Sequence, residues 1–180
     1  MQIMLDNILY YLGQFLGIVA VILGFVSFQM KTPKKILACQ ITVAFLFAAH
    51  YMLIGAFDAA PLNLLAAVSN ILYYFRAKRG SKSLFEPIFY ITMITVIGIL
   101  TWESWYTLIL MFGLYSTAVG LSLTEPQNTR KVMLIKAPLC LVYNALVLSI
   151  GGVIYESAVL SSAIIGLIKY RKILDTPTNL

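Results

Sequence analysis

The sequence predicts an all-α membrane protein with about seven transmembrane helices, built as two parallel three-helix repeats joined by a linker helix. Three observations carry this expectation. Of the 180 residues, 61% are hydrophobic and only 11% are charged, against about 45–50% and about 25% in an ordinary soluble domain. The charges fall in clusters separated by apolar stretches of helix-spanning length. The chain also resembles itself when shifted by 96 residues.

The apolar stretches define the helices in order. Between Asp6 and Lys31 lie 24 uncharged residues, between Lys35 and Asp58 22, and between Asp58 and Arg76 17. Between Glu86 and Glu103 lie 16, between Glu103 and Glu125 21, and between Lys136 and Glu156 19. A hydrocarbon core of about 30 Å needs about 20 helical residues. The final run, 157–168, has only 12 uncharged residues. It spans only if Glu156 and Lys169 lie within the helix and reach toward the headgroups, as lysine readily does. The alternative is six spans and a final helix lying on the membrane surface.

Placing successive connections alternately on two sides sorts the charges. One side receives Lys31, Lys34, Lys35, Arg76, Lys78, Arg79, Lys82, Arg130, Lys131, Lys136, Lys169, Arg171 and Lys172, which is all 13 basic residues. The other holds Asp6, Asp58, Glu103 and Glu156. Positive charge stays cytoplasmic, so the N-terminus is expected outside and the C-terminus in the cytoplasm. The net charge of +6 then reports topology and not nucleic-acid binding. The N-terminus lacks basic residues before its apolar run and does not read as a cleaved signal peptide. Cys39 and Cys140 fall within spans and read as small core residues.

The repeat aligns without gaps. Gly17 meets Gly113, Gly24 meets Gly120, and Lys34-Lys35 meets Arg130-Lys131. Ile54-Gly55-Ala56 meets Ile150-Gly151-Gly152, Leu64 meets Leu160, Ala67 meets Ala163, and Tyr74 meets Tyr170. The implied division is 1–80, a first three-helix repeat; 81–103, a linker helix; and 104–180, a second repeat. An odd linker gives both repeats the same orientation, a transporter device.

Several stretches resemble the YgjV-type family of bacterial inner-membrane proteins. They are Gly24-Phe-Val-Ser-Phe-Gln-Met-Lys-Thr with Lys34-Lys35, Ala49-His50-Tyr51, and Leu62-Asn63-Leu64 leading to Tyr73-Tyr74-Phe75-Arg76. More distantly the chain resembles the SWEET, PQ-loop and PnuC superfamily. Pro126-Gln127, at the end of the fifth span, looks like a PQ-loop dipeptide; the matching position in the first repeat is Met30-Lys31. Asn70 resembles a pocket asparagine of SWEETs, with Gly166 as its repeat partner. The resemblance implies a SWEET-like fold, in which the third and seventh helices each lie beside the first helix of their own triplet.

Polar residues inside a membrane are expensive and so mark candidate sites. Asn63, Asn70 and Tyr74 share one helical stripe, at steps of seven and four. Gln40, Phe47 and Tyr51 form another, flanked by His50. On the sixth helix Lys136 and Tyr143 are seven apart, with Asn144 adjacent. Asn70, Asn63, His50, Tyr74, Tyr51 and Asn144 are therefore the expected solute-binding set, with Tyr73 and Tyr74 as an aromatic wall. Interhelical hydrogen bonding is the alternative role for the same residues. Lys136 is expected to snorkel to the cytoplasmic surface. Gly17 and Gly24, and likewise Gly113 and Gly120, are seven apart and read as packing seams with a secondary role in rocking. Pro138 is expected to kink the sixth helix and Pro126 to end the fifth. Trp102 and Trp105 flank Glu103 as an interfacial belt, and Ser157 and Ser161 are expected to bond back to their helix.

An enzyme is disfavoured: the chain has a single histidine and no nucleophile elbow, metal cluster or phosphate loop. No cofactor or metal is expected. Mid-span carboxylates are not expected either, which argues against an acidic proton relay. Two functional classes remain: a facilitator of a small polar solute working by rocking of two triplets, and a non-transporting membrane scaffold, sensor or accessory subunit. The lipid bilayer is the expected partner in both, and homo-oligomers are compatible with either.

Overall fold

The computed structural model describes residues 2–28, 33–79, 84–123 and 126–174. It places seven helices and no strand among them: α1 (Gln2–Phe28), α2 (Pro33–Ile54), α3 (Ala59–Arg79), α4 (Phe85–Leu100), α5 (Tyr106–Ser122), α6 (Pro126–Leu146) and α7 (Ile150–Leu174). The loop residues Met30, Lys31 and Lys82 lie outside the described residues, as do the side chains of Lys34, Tyr73, Arg76, Lys78, Pro126, Gln127, Arg171 and Lys172.

The helices form a closed ring in chain order. Each packs on the next, α7 closes back on α1, and α3 also touches α5. This corrects the expected arrangement within each triplet. Among the described residues α3 does not touch α1, nor α7 α5; α2 lies between α1 and α3, and α6 between α5 and α7. Short connections favour antiparallel neighbours, and the turns at 55–58 and 147–149 leave no length for a helix to step past its predecessor. α1 to α3 and α5 to α7 each follow chain order around the ring. Their ends do not coincide under the 96-residue offset: α1 shifted would cover 98–124, whereas α5 is Tyr106–Ser122.

The turns have local causes. After α2, Gly55 takes φ +84° and the Ala56 N–H reaches back to the Tyr51 carbonyl at 2.9 Å. After α6, Leu148 takes φ 54° and the Ser149 N–H reaches the Asn144 carbonyl at 2.8 Å. Both are left-handed helix ends closed by a six-residue back-bond. Glycine fills the first without strain; leucine in the second carries a steric cost and is held by α1. Its carbonyl accepts hydrogen bonds from Gln14 Nε2 at 2.7 Å and Tyr10 OH at 3.2 Å.

Glycines set the closest crossings. A Cβ on Gly151 would lie 2.7 Å from the Gly17 carbonyl carbon, so α7 crosses α1 backbone to backbone. Further along, a Cβ on Gly24 would meet the Tyr155 ring at 2.8 Å. In the other triplet, a Cβ on Gly113 would lie 2.7 Å from Cys140 Sγ and one on Gly120 3.2 Å from Val132. All four expected seam glycines are buried at helix crossings.

Pro126 opens α6 instead of ending α5, which stops at Ser122. The first helical turn has no use for the missing N–H. Pro138 sits inside α6 on an exposed face, where it removes one helical hydrogen bond.

The ring is apolar outside. Phe15, Ile22, Phe45, Phe112, Ile135 and Ile165 are among the large hydrophobic side chains it exposes, a surface unlike that of soluble monomers. Two helical stretches, Leu5–Ser27 and Ile150–Lys169, are long and apolar enough to cross a membrane; the apolar parts of α2 to α5 are shorter. The second stretch belongs to the helix that looked shortest in the sequence. α7 starts at Ile150, seven residues before the uncharged run, and Glu156 is buried within it. Trp102 and Trp105 are exposed at the α4–α5 connection, and Ser161 Oγ bonds back to the Ser157 carbonyl at 2.8 Å.

Candidate functional site

The inside of the ring holds a cavity of about 180 Å³ bounded by six of the seven helices, with α1 contributing no wall residue. Its lining follows helical spacing. α2 supplies Gln40, Phe47 and Tyr51; α3 supplies Asn63, Ala66 and Asn70; α6 supplies Lys136, Cys140 and Asn144. Steps of three, four and seven put each set on one face. Tyr90 of α4, Thr117 of α5 and Tyr155 and Glu156 of α7 complete the polar part of the wall, with Ser69 beside Asn70.

The aromatic side of the cavity is ordered by ring contacts. Phe47 stacks on Tyr51 at 6.0 Å between centroids and meets Tyr155 edge-on at 5.4 Å. The Tyr51 hydroxyl donates to Asn144 Oδ1 at 2.6 Å, and Asn144 Nδ2 donates to the Cys140 carbonyl at 2.7 Å. Gly152 makes room for this amide, because any side chain there would overlap the Asn144 carboxamide. Asn63 Nδ2 bonds to its own helix, at the Ala59 carbonyl, 3.0 Å away.

Polar atoms without partners remain. The Ser69 hydroxyl and Glu156 Oε2 are buried and unbonded. The Asn70 amide is half-buried in the wall and makes no side-chain hydrogen bond among the described residues. Buried polar groups are normally satisfied, and the two buried atoms belong to residues of the cavity wall.

The wall also contains an ion pair. Lys136 Nζ donates to Glu156 Oε1, joining α6 to α7. This overturns two expectations. Lys136 does not snorkel, and Glu156 does not reach for the headgroups; their side chains are only 14% and 8% exposed. A carboxylate therefore lies inside the bundle, where the sequence suggested none. The cause is the α6–α7 hairpin, whose turn brings the two charged positions level with each other.

Of the expected solute-binding residues, Asn70, Asn63, Tyr51 and Asn144 line the cavity, and His50 and Tyr74 do not. Tyr74 is half-buried beside Phe75, their rings 5.6 Å apart. The other half of the expected aromatic wall, Tyr73, falls among the side chains outside the description.

His50 is fully buried and ties three elements together. Its Nδ1 lies 2.7 Å from the Gly13 carbonyl of α1, and its Nε2 lies 2.7 Å from Ser149 Oγ in the α6–α7 turn. A carbonyl only accepts, so Nδ1 carries the proton. In the neutral ring Nε2 then accepts from the Ser149 hydroxyl, whose oxygen accepts from the Gly152 N–H at 3.1 Å. A second knot lies at the same end of the bundle. Asp58, also fully buried, accepts from the Thr107 hydroxyl at 2.6 Å and from the Tyr143 hydroxyl. Glu103 accepts from the Phe57 N–H at 3.1 Å. Partial burial, and then the Asp58 carboxylate nearby, hold the Glu103 carboxyl above its ordinary range, against hydrogen bonds from the Phe57 and Asp58 backbone.

These knots bolt together the end of the bundle bearing the turns 55–58, 101–105 and 147–149. Gln14 adds a clamp, accepting from the Ile150 N–H at 3.1 Å. Asp58, Thr107, Ser149 and Gln14 are the residues that sequence reasoning missed, and Tyr143, expected on the stripe with Lys136, bonds Asp58 instead of lining the cavity. Asp58 carried a usable signal, since it stands alone in a short apolar turn. Lys136 and Glu156 carried another: opposite charges on the two helices that one short turn joins.

The model of Imp-YgjV, a family described as bacterial inner membrane protein, matches residues 11–173. Neither a curated protein nor a solved structure matches the chain.

Proposed function

Because the chain belongs to the Imp-YgjV family of bacterial inner membrane proteins, we propose that it is a seven-span facilitator that passes a small polar solute through the cavity at the centre of its ring. The carrying observation is a pair of buried polar atoms without partners, Ser69 Oγ and Glu156 Oε2, on residues that line the cavity beside the half-buried Asn70 amide. A scaffold gains nothing from such atoms, since each unpaired buried group costs about 1–3 kcal/mol. A transport site needs them unoccupied between solutes. The cavity is smaller than the ~300–1,000 Å³ of sites for drug-sized ligands, so the solute is small.

The proposed orientation has the N-terminus outside and the C-terminus cytoplasmic. It rests on the sorting of the basic residues. In that orientation the bolted end faces outward, and the structure corresponds to a state closed on the outside. The opposite half of the bundle is then where the first opening occurs.

Asn70→Ala tests the reading. Asn70 makes no bond that holds the bundle together, so the variant is expected to fold with unchanged stability and to lose solute uptake in proteoliposomes. A variant that transports as the parent does would remove Asn70 from the path. A variant that loses stability while its folded fraction transports normally would make Asn70 a structural tie.

A further inference from the structure

From the Lys136–Glu156 pair we infer that the solute is a small zwitterion, carrying an ammonium and a carboxylate a few ångströms apart. This rests on the facilitator reading and names the chemistry of its site.

Lys136 and Glu156 are the charged residues among the described cavity lining, and together they are neutral. The pair is incompletely used. Lys136 binds one carboxylate oxygen, Oε1. The other, Oε2, is buried without a partner. An ammonium has three donors and a carboxylate about four acceptor sites, so each member keeps capacity for one more charged partner.

A solute of net charge would bring an unbalanced charge into a low-dielectric bundle, at high cost. A neutral solute would bring none, but it would leave Glu156 Oε2 with a neutral donor, and charge-assisted bonds are roughly twice as strong. A zwitterion satisfies both conditions. Its ammonium faces Glu156 Oε2, its carboxylate faces Lys136, and the four charges sum to zero. The Asn70 amide and the Ser69 hydroxyl stand in the same wall to hydrogen-bond the remainder of the molecule. A buried ion pair is weak evidence for stability, because well-packed apolar residues often replace one without loss. Its presence beside a cavity, with one oxygen unsatisfied, is accounted for by a charged visitor.

The test uses four molecules of nearly one shape: L-alanine as zwitterion, L-alaninamide as cation, L-lactate as anion and lactamide as neutral form. Each is offered to the full-length protein in detergent, read by thermal shift, and to proteoliposomes, read by uptake. Alanine is expected to give the largest shift and the fastest uptake. The double variant Lys136→Gln/Glu156→Gln keeps a hydrogen-bonding pair of similar shape without stranding a charge. It should lower the ratio of alanine to lactamide uptake about tenfold or more, as expected for losing two charged hydrogen bonds. Should the double variant not fold, the four-molecule ranking on the parent decides. Preference for lactamide, alaninamide or lactate overturns the zwitterion assignment and leaves the facilitator reading in place. An alanine-specific shift without flux supports the site and overturns the facilitator reading. Neither shift nor flux with any of the four overturns the assignment.

Discussion

Replacing His50 with alanine removes two contacts at once, and they are not equal. The Gly13 carbonyl lies within α1 and keeps its own helical hydrogen bond when the imidazole goes. The Ser149 hydroxyl loses its acceptor in a fully buried position. Interhelical hydrogen bonds in membranes average about 0.6 kcal/mol and reach about 1.7, which sets the Ser149 bond near about 1 kcal/mol. The empty volume adds more. Truncating a large aromatic core residue to alanine costs about 3–5 kcal/mol, and imidazole is smaller than phenyl. His50→Ala is therefore expected to lower the unfolding free energy by about 3 kcal/mol, with roughly one third of that coupled to Ser149. The assay is reversible unfolding of purified protein in mixed micelles, for His50→Ala, Ser149→Ala and the double variant. A coupling within about 0.3 kcal/mol of zero, as for independent sites, would refute the bond. Solute uptake per folded molecule should stay at the parental level, because His50 is not part of the cavity wall. Lost uptake at unchanged stability would overturn the assignment of His50 to the fold.

Three other outcomes follow from the geometry. Gly151→Ala should destabilise by about 1–3 kcal/mol, the usual cost of overpacking, because its new methyl meets the Gly17 backbone; Gly120→Ala, meeting the Val132 side chain at 3.2 Å, should cost less, and the reverse order in unfolding would contradict the crossing. Glu103 is held above its ordinary range by burial and by Asp58, so its stabilising contribution is complete below the unfolded-state carboxylate pKa and is lost as pH rises through the folded one. The parent should therefore gain on Glu103→Gln as pH falls from neutral into the carboxylate range, and a difference between them that ignores pH would remove this effect. A reporter fused to the C-terminus should behave as cytoplasmic; exposure outside would sink both the orientation and the odd number of spans.

Much of the cavity wall was legible from spacing alone. Gln40, Phe47 and Tyr51 fall on one face of α2 whatever packs against it, as do Asn63 and Asn70 on α3, because 3.6-residue periodicity is a property of the single helix. Tyr74 continues the α3 stripe in sequence but lies beyond the cavity, since a stripe gives a direction and not the depth at which the enclosed space ends. Asn144 was legible as a polar residue inside a span, though its tie to Tyr51 was not.

The sequence by itself determined the local facts: apolar helical stretches, two of them of spanning length, the glycine that ends α2 and the small residues that let helices touch. Only the tertiary structure decided the order of helices around the ring, the pairing of Lys136 with Glu156, and the burial of Asp58 between Thr107 and Tyr143. The reason is range. Hydropathy and periodicity act within one helix, whereas the Ser149 that bonds His50 lies 99 positions along the chain and the Tyr143 that bonds Asp58 lies 85. Which distant polar group reaches which depends on where close backbone contact, such as that of Gly151 on Gly17, lets the ring shut.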